Sequence, residues 1–101
     1  MQDNRVHPRV PINVTVTCEQ AGGDSFEAFA KDISVGGMFL QSEIAPAFGT
    51  ELTIVGKLPG AKKPVRLPAI VRWAKPNGFG VQFGLLGALE THVLSELMRV
   101  D

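Results

Sequence analysis

The sequence predicts a mostly-β domain of about six antiparallel strands, a barrel or a sandwich, followed by one C-terminal helix. Three observations predict it. Apolar and polar residues alternate through most of the chain, short turns rich in Gly, Pro and Asn separate the alternating runs, and only the last segment changes to spacings of three and four. A length of 101 residues suits one domain.

Residues 1–9 are polar, carry Arg5 and Arg9, and have neither period; Val6 is their one sizeable apolar anchor after Met1, so a mobile arm is expected there. Past Pro11, Ile12, Val14, Val16 and Cys18 alternate with Asn13, Thr15, Thr17 and Glu19, as in a half-buried strand. Gly22-Gly23-Asp24 is a hairpin turn, and a second strand runs through Phe26, Ala28 and Ala30 to Ile33. Gly36-Gly37 breaks it before a third short strand at Met38-Phe39-Leu40. After a loop at Pro46 to Gly49, a fourth strand covers Leu52 to Leu58, and Pro59 to Pro64 forms a polar turn. A long strand from Val65 to Lys75 contains Pro68, which cannot donate to a ladder and requires an edge or a bulge. Pro76-Asn77-Gly78 then turns the chain into an alternating sixth run, Phe79 to Gly84. The strands thus occupy residues 10–84 and the helix residues 85–101. In that helix Leu85, Leu86, Leu89, Val93, Leu94, Leu97 and Met98 form an apolar stripe that is buried most simply by capping the open end of a barrel.

Ten basic and ten acidic residues give no net charge, which disfavours a general nucleic-acid coat or an anionic membrane surface and makes any anion site local. Cys18 is the single cysteine, at an inward position of its strand, so an inert thiol is expected and no intrachain disulfide can form. No apolar stretch has the length of a signal peptide or a membrane span, and a cytoplasmic location is expected. His7 and His92 are far apart with no cysteine pair between them, so no metal site is expected. Asp32, Ser34 and His7 make no hydrolase triad: Ser34 has no nucleophile-elbow context and Asp32 stands only two residues before it. No catalysis is expected.

Two constellations remain. Arg5-Val6-His7-Pro8-Arg9 sets two guanidiniums four residues apart on a segment that Pro8 biases away from helix. Their planar forks suit phosphate oxygens and stack on flat rings, although two solvated arginines would look the same. Asp32-Ile33-Ser34-Val35-Gly36-Gly37 is the second. In extended chain Asp32 and Ser34 point to one face while Ile33 and Val35 anchor the other, and the glycines allow positive φ and close approach. A carboxylate there can accept from the N–H edge of guanine; it can equally be part of a capped turn.

Arg-x-x-x-Arg before the first strand, then Asp-x-Ser-x-x-Gly at the end of the second, resembles the PilZ domain. The resemblance extends over nearly the whole chain. It takes in the loop, Gly-Thr and strand of Ala45 to Leu58, Val71-Arg72-Trp73 late in the long strand, and Gly78-Phe79-Gly80-Val81-Gln82-Phe83 before the helix. What it implies is a six-stranded antiparallel β-barrel with a C-terminal α-helix, serving as a non-catalytic sensor or adaptor for the bacterial messenger cyclic di-GMP. No other cofactor is implied, and a downstream protein partner is. By similarity, Arg5 and Arg9 hold phosphates and guanines, Asp32 and Ser34 read a guanine edge and a nearby phosphate oxygen, and Gly37 permits the turn. Asn4 stands where many members carry a further arginine. Trp73 either flanks the ligand or packs the barrel. The alternative readings are a PilZ-like interaction module without nucleotide and a small barrel for single-stranded nucleic acid; zero net charge, the lack of tyrosine and the lack of a visible row of exposed aromatics weigh against the last.

Overall fold

The computed structural model describes residues 9–98; Arg5, the rest of the expected arm before Arg9, and the last three residues of the expected helix lie outside the described residues. The described residues form six antiparallel strands, β1 (Val10–Gln20), β2 (Ser25–Ile33), β3 (Gly37–Gln41), β4 (Glu51–Gly56), β5 (Val65–Lys75) and β6 (Gly78–Phe83), followed by α1 (Ala88–Met98). The strands close into a barrel in the order β1-β2-β3-β6-β5-β4. Of the two all-β arrangements open to the strand pattern, the barrel is the one adopted.

The alternation puts one side of every strand inside. Val16 and Cys18, Ala28 and Ala30, Met38 and Leu40, Leu52 and Ile54, Leu67, Ala69 and Val71, and Phe79, Val81 and Phe83 fill the barrel. Each large aliphatic or aromatic side chain among them contributes roughly 1.5–3 kcal/mol by leaving water.

Three irregularities re-aim side chains. The β1–β2 register shifts between Pro11 and Val14, where Asn13 takes a left-handed φ of 52°, a conformation asparagine tolerates better than most residues. The β2–β3 register shifts between Ala30 and Asp32. The extra residue, Lys31, lets Ala30 and Ile33 both face inward although three apart, and Asp32 then pairs with the outward Phe39. The β5–β6 register shifts between Val71 and Trp73, which leaves Arg72 and Trp73 both on the outside. Pro68 sits where β6 runs out: its carbonyl accepts from Gly84 N at 2.7 Å, so the side of β5 lacking a donor faces the last residue able to pair with it.

Two boundaries differ from the sequence pattern. β4 ends at Gly56, and Leu58 is buried as a loop anchor beyond the strand. The helix begins at Ala88 and not at Leu85, which is 96% exposed; Leu89 is exposed too. Gly84 and Gly87 bracket that stretch and disfavour helix there, and the Gly87 carbonyl becomes the acceptor for Thr91 N at 3.0 Å. Leu94 alone of the stripe is fully buried, while Leu86, Val93, Leu97 and Met98 pack partly on the core. Among the described residues no helix is long and apolar enough to cross a membrane.

Candidate functional site

β2 stops at Ile33, and the chain folds back through Ser34–Gly37. Ser34 N donates to Gly37 O at 2.8 Å, and the Ser34 hydroxyl oxygen accepts from Gly36 N and Gly37 N at 3.2 Å each. That corrects the expected alternation. Ile33 is buried as expected, but Ser34 is buried as well, and Val35 is 38% exposed. The period of two holds only while the chain is extended, and the turn begins at Ser34, so the hydroxyl aims into the turn it closes. Gly37 is corrected similarly. Its φ is not left-handed; a Cβ there would run into the Val81 carbonyl oxygen, so glycine is required by the nearness of β6 and not by the turn. Phe83 N donates to Gly36 O at 2.9 Å and ties the turn to the end of β6.

Arg9, the residue before β1, reaches the outward side chain of Asp32: Nη1 to Oδ1 is 2.6 Å. The Pro11–Asp32 pairing brings the two segments alongside each other. The two halves of the sequence motif, 23 residues apart, therefore meet through one ion pair. Its side chains keep 39% and 32% of their surface in water, so the pair contributes about 0–1 kcal/mol and yields readily to a ligand that offers both partners something better.

From Asp32 an outward row runs across the barrel. Asp32 pairs with Phe39, Phe39 with Gly80, and Gly80 with Trp73, three strand spacings or roughly 14 Å in all. Trp73 is 39% exposed and lies outside the barrel, stacked on Phe39 with ring centroids 5.4 Å apart and planes within 9°. Lys75 Nζ stands 5.2 Å from the Trp73 ring centre. The structure thus brings Arg9, Asp32 and the Ser34–Gly37 turn together and sets Trp73 further along the same face. Phe39 and Gly80 were missed by the sequence reading; the available signal was a Gly-x-Gly on β6 opposite aromatic residues on both neighbouring strands.

Chemically, this face offers a guanidinium, a carboxylate and two stacked flat rings with an ammonium beside them. Such a set recognises a planar, hydrogen-bonding ring attached to an anionic group. The other features are less suggestive. An open groove of about 390 Å³ between Glu19, Glu51, Thr53 and Pro68 includes none of the motif residues. Cys18 is fully buried, and loss of hydration pushes its thiol up to about 12, which makes it a poor nucleophile at neutral pH.

The sequence profile of the PilZ domain matches residues 3–98. The fold is similar to the PilZ domain of CeSA from a cellulose-synthesizing bacterium, with TM-score 0.74 and 21% identity over 90% of this chain and 94% of that one. It is also similar to the PilZ domain of Escherichia coli YcgR with c-di-GMP (TM-score 0.69, 14% identity, 95% of this chain and 89% of that one). For the Bacillus subtilis motility inhibitor MotI the values are TM-score 0.75 and 16% identity, over 94% of this chain but only 49% of that one. At these identities the likeness is one of fold. No curated protein matches the sequence.

Proposed function

As the chain belongs to the PilZ domain family, we propose that it binds cyclic di-GMP and acts as a non-catalytic sensor or adaptor in the cytoplasm, passing the signal to a protein partner. The observation that carries this reading is the 2.6 Å contact between Arg9 and Asp32, because it joins the two family motifs at one exposed point. Arg9, with Arg5 preceding it on the arm, neutralises the phosphates and lies against a guanine. Asp32 accepts from the guanine N1–H and N2 amino group, an edge that adenine lacks. Ser34 shapes the turn that follows Asp32, and Gly37 lets that turn lie against β6. The Trp73 ring, with Phe39, supplies a flat apolar flank for a base. No DNA contact is needed, and the neutral net charge suits a local anion site better than a polyanion track.

The alternative is a PilZ-like interaction module in which the Arg9–Asp32 pair is a permanent surface tie. Proton–nitrogen correlation spectra separate the two. Adding cyclic di-GMP should shift the amides of residues 32–37 and the Arg9 side chain in a saturable way. Spectra that stay unchanged at high micromolar ligand favour the interaction module.

A further inference from the structure

We propose that Gly80 is a positioning residue for the ligand, acting through Trp73 and Phe39; this deepens the cyclic di-GMP reading and rests on it. In β6, Phe79 points into the core, while Gly78 and Gly80 occupy the outward positions on either side of it. The outer face of β6 is therefore bare between β3 and β5, and two rings lie on it. A Cβ on Gly80 would overlap Trp73 Cε2 and Cζ2 and would stand 2.6 Å from Nε1. A Cβ on Gly78 would stand 2.8 Å from Phe39 Cζ and would also overlap the Leu40 carbonyl oxygen. The indole thus rests where a Gly80 side chain would be, and Phe39 beside it, over Gly78.

Gly80 has no left-handed φ, so glycine is required there by the indole and not by the backbone. The bulge at Arg72 completes the arrangement: it turns Trp73 outward at the level of Gly80, while Arg72 is drawn off to Gln82, with Nε to Oε1 at 2.7 Å. Because Phe39 is the cross-strand partner of Asp32, the flat surface begins where the carboxylate ends. A purine whose edge is read by Asp32 has that surface as its neighbour. Lifting the indole by one methyl group disturbs the flat surface, and the Lys75 contact with it, while leaving Arg9, Asp32 and the Ser34 turn as they are.

The test is a double-mutant cycle on the whole domain. Gly80 is preferred to Gly78 because its nearest obstacles are all on one side chain, whereas Gly78→Ala would also press on backbone. Base stacking on an aromatic side chain is commonly worth a 5- to 100-fold change in affinity on alanine substitution, to order of magnitude. Calorimetric titration with cyclic di-GMP should show Gly80→Ala weakened by that order, Trp73→Ala weakened similarly, and the double variant no weaker than Trp73→Ala. Trp73 is the only tryptophan. The near-ultraviolet circular dichroism of its indole should therefore change in Gly80→Ala before ligand is added, while the far-ultraviolet spectrum stays that of the native barrel. Equal affinities for the native domain and Gly80→Ala overturn the inference, as does an unchanged indole signal. So does a Gly80→Ala loss that is just as large in the Trp73→Ala background, since it would then act by some route other than the ring. No binding by the native domain removes the functional reading and this role together, and is distinguished from failure of the inference alone, in which the native domain binds.

Discussion

Removing the Ser34 hydroxyl should destabilise the free domain, with no ligand present. The oxygen is buried and accepts two backbone N–H groups, from Gly36 and Gly37, both at 3.2 Å. These are at the long end of the usual range, so neither bond is strong on its own. In Ser34→Ala the Gly36 N–H, which is half-buried, can recover much of its loss from water. Gly37 is buried, and its N–H faces the turn rather than β6, so it loses its acceptor without replacement. One orphaned buried donor costs about 1–3 kcal/mol, and the long geometry points to the lower part, about 1–2 kcal/mol. For a domain of this size that lowers Tm by roughly 5–12 °C. Urea unfolding followed by circular dichroism measures it, and m should stay unchanged because the surface exposed on unfolding barely differs. A stability change under about 0.3 kcal/mol would mean that the hydroxyl does not hold the turn.

Asp32→Ala should narrow the preference for cyclic di-GMP over cyclic di-AMP by roughly 10- to 100-fold, the value of a charge-assisted hydrogen bond, measured by parallel titrations. Discrimination that persists would make the carboxylate no more than the partner of Arg9. For Cys18, burial raises the thiol from 9.0 to about 12, so the folded domain keeps a proton that the unfolded chain gives up. Its contribution is fully present below pH 9 and is lost as pH rises toward 12, amounting to about 4 kcal/mol at the upper end. Over that window the stability of Cys18→Ala should fall less steeply than that of the native domain; parallel curves would contradict the assignment.

The strands were legible because alternation and turn residues both mark them. Val16, Cys18, Ala28, Ala30, Leu67 and Val71 occupy the inward positions that a period of two assigns. Alternation does not tell where a strand stops, however, and Ser34 and Val35 changed sides because the turn began one residue after Ile33. Bulges were equally invisible. Each inserts a single residue, and Lys31 and Arg72 have nothing in their own chemistry that announces it. Spacing in the C-terminal leucines extended the helix through Leu85, against the flanking glycines that end it. At the site, the motif residues were legible as types, but the ion pair between Arg9 and Asp32 depends on a register that only the folded barrel supplies. The aromatic pair escaped notice because its cause is what two outward glycines lack.

Calorimetric titration of the domain with cyclic di-GMP at two salt concentrations, beside the Arg9→Ala variant, decides whether this face is a nucleotide site. Binding should be saturable and weaken as salt rises, since guanidiniums meet phosphates, and Arg9→Ala should lose roughly 10- to 100-fold in affinity with the fold intact. Absence of heat at high micromolar ligand, or an affinity indifferent to both salt and Arg9, would contradict it.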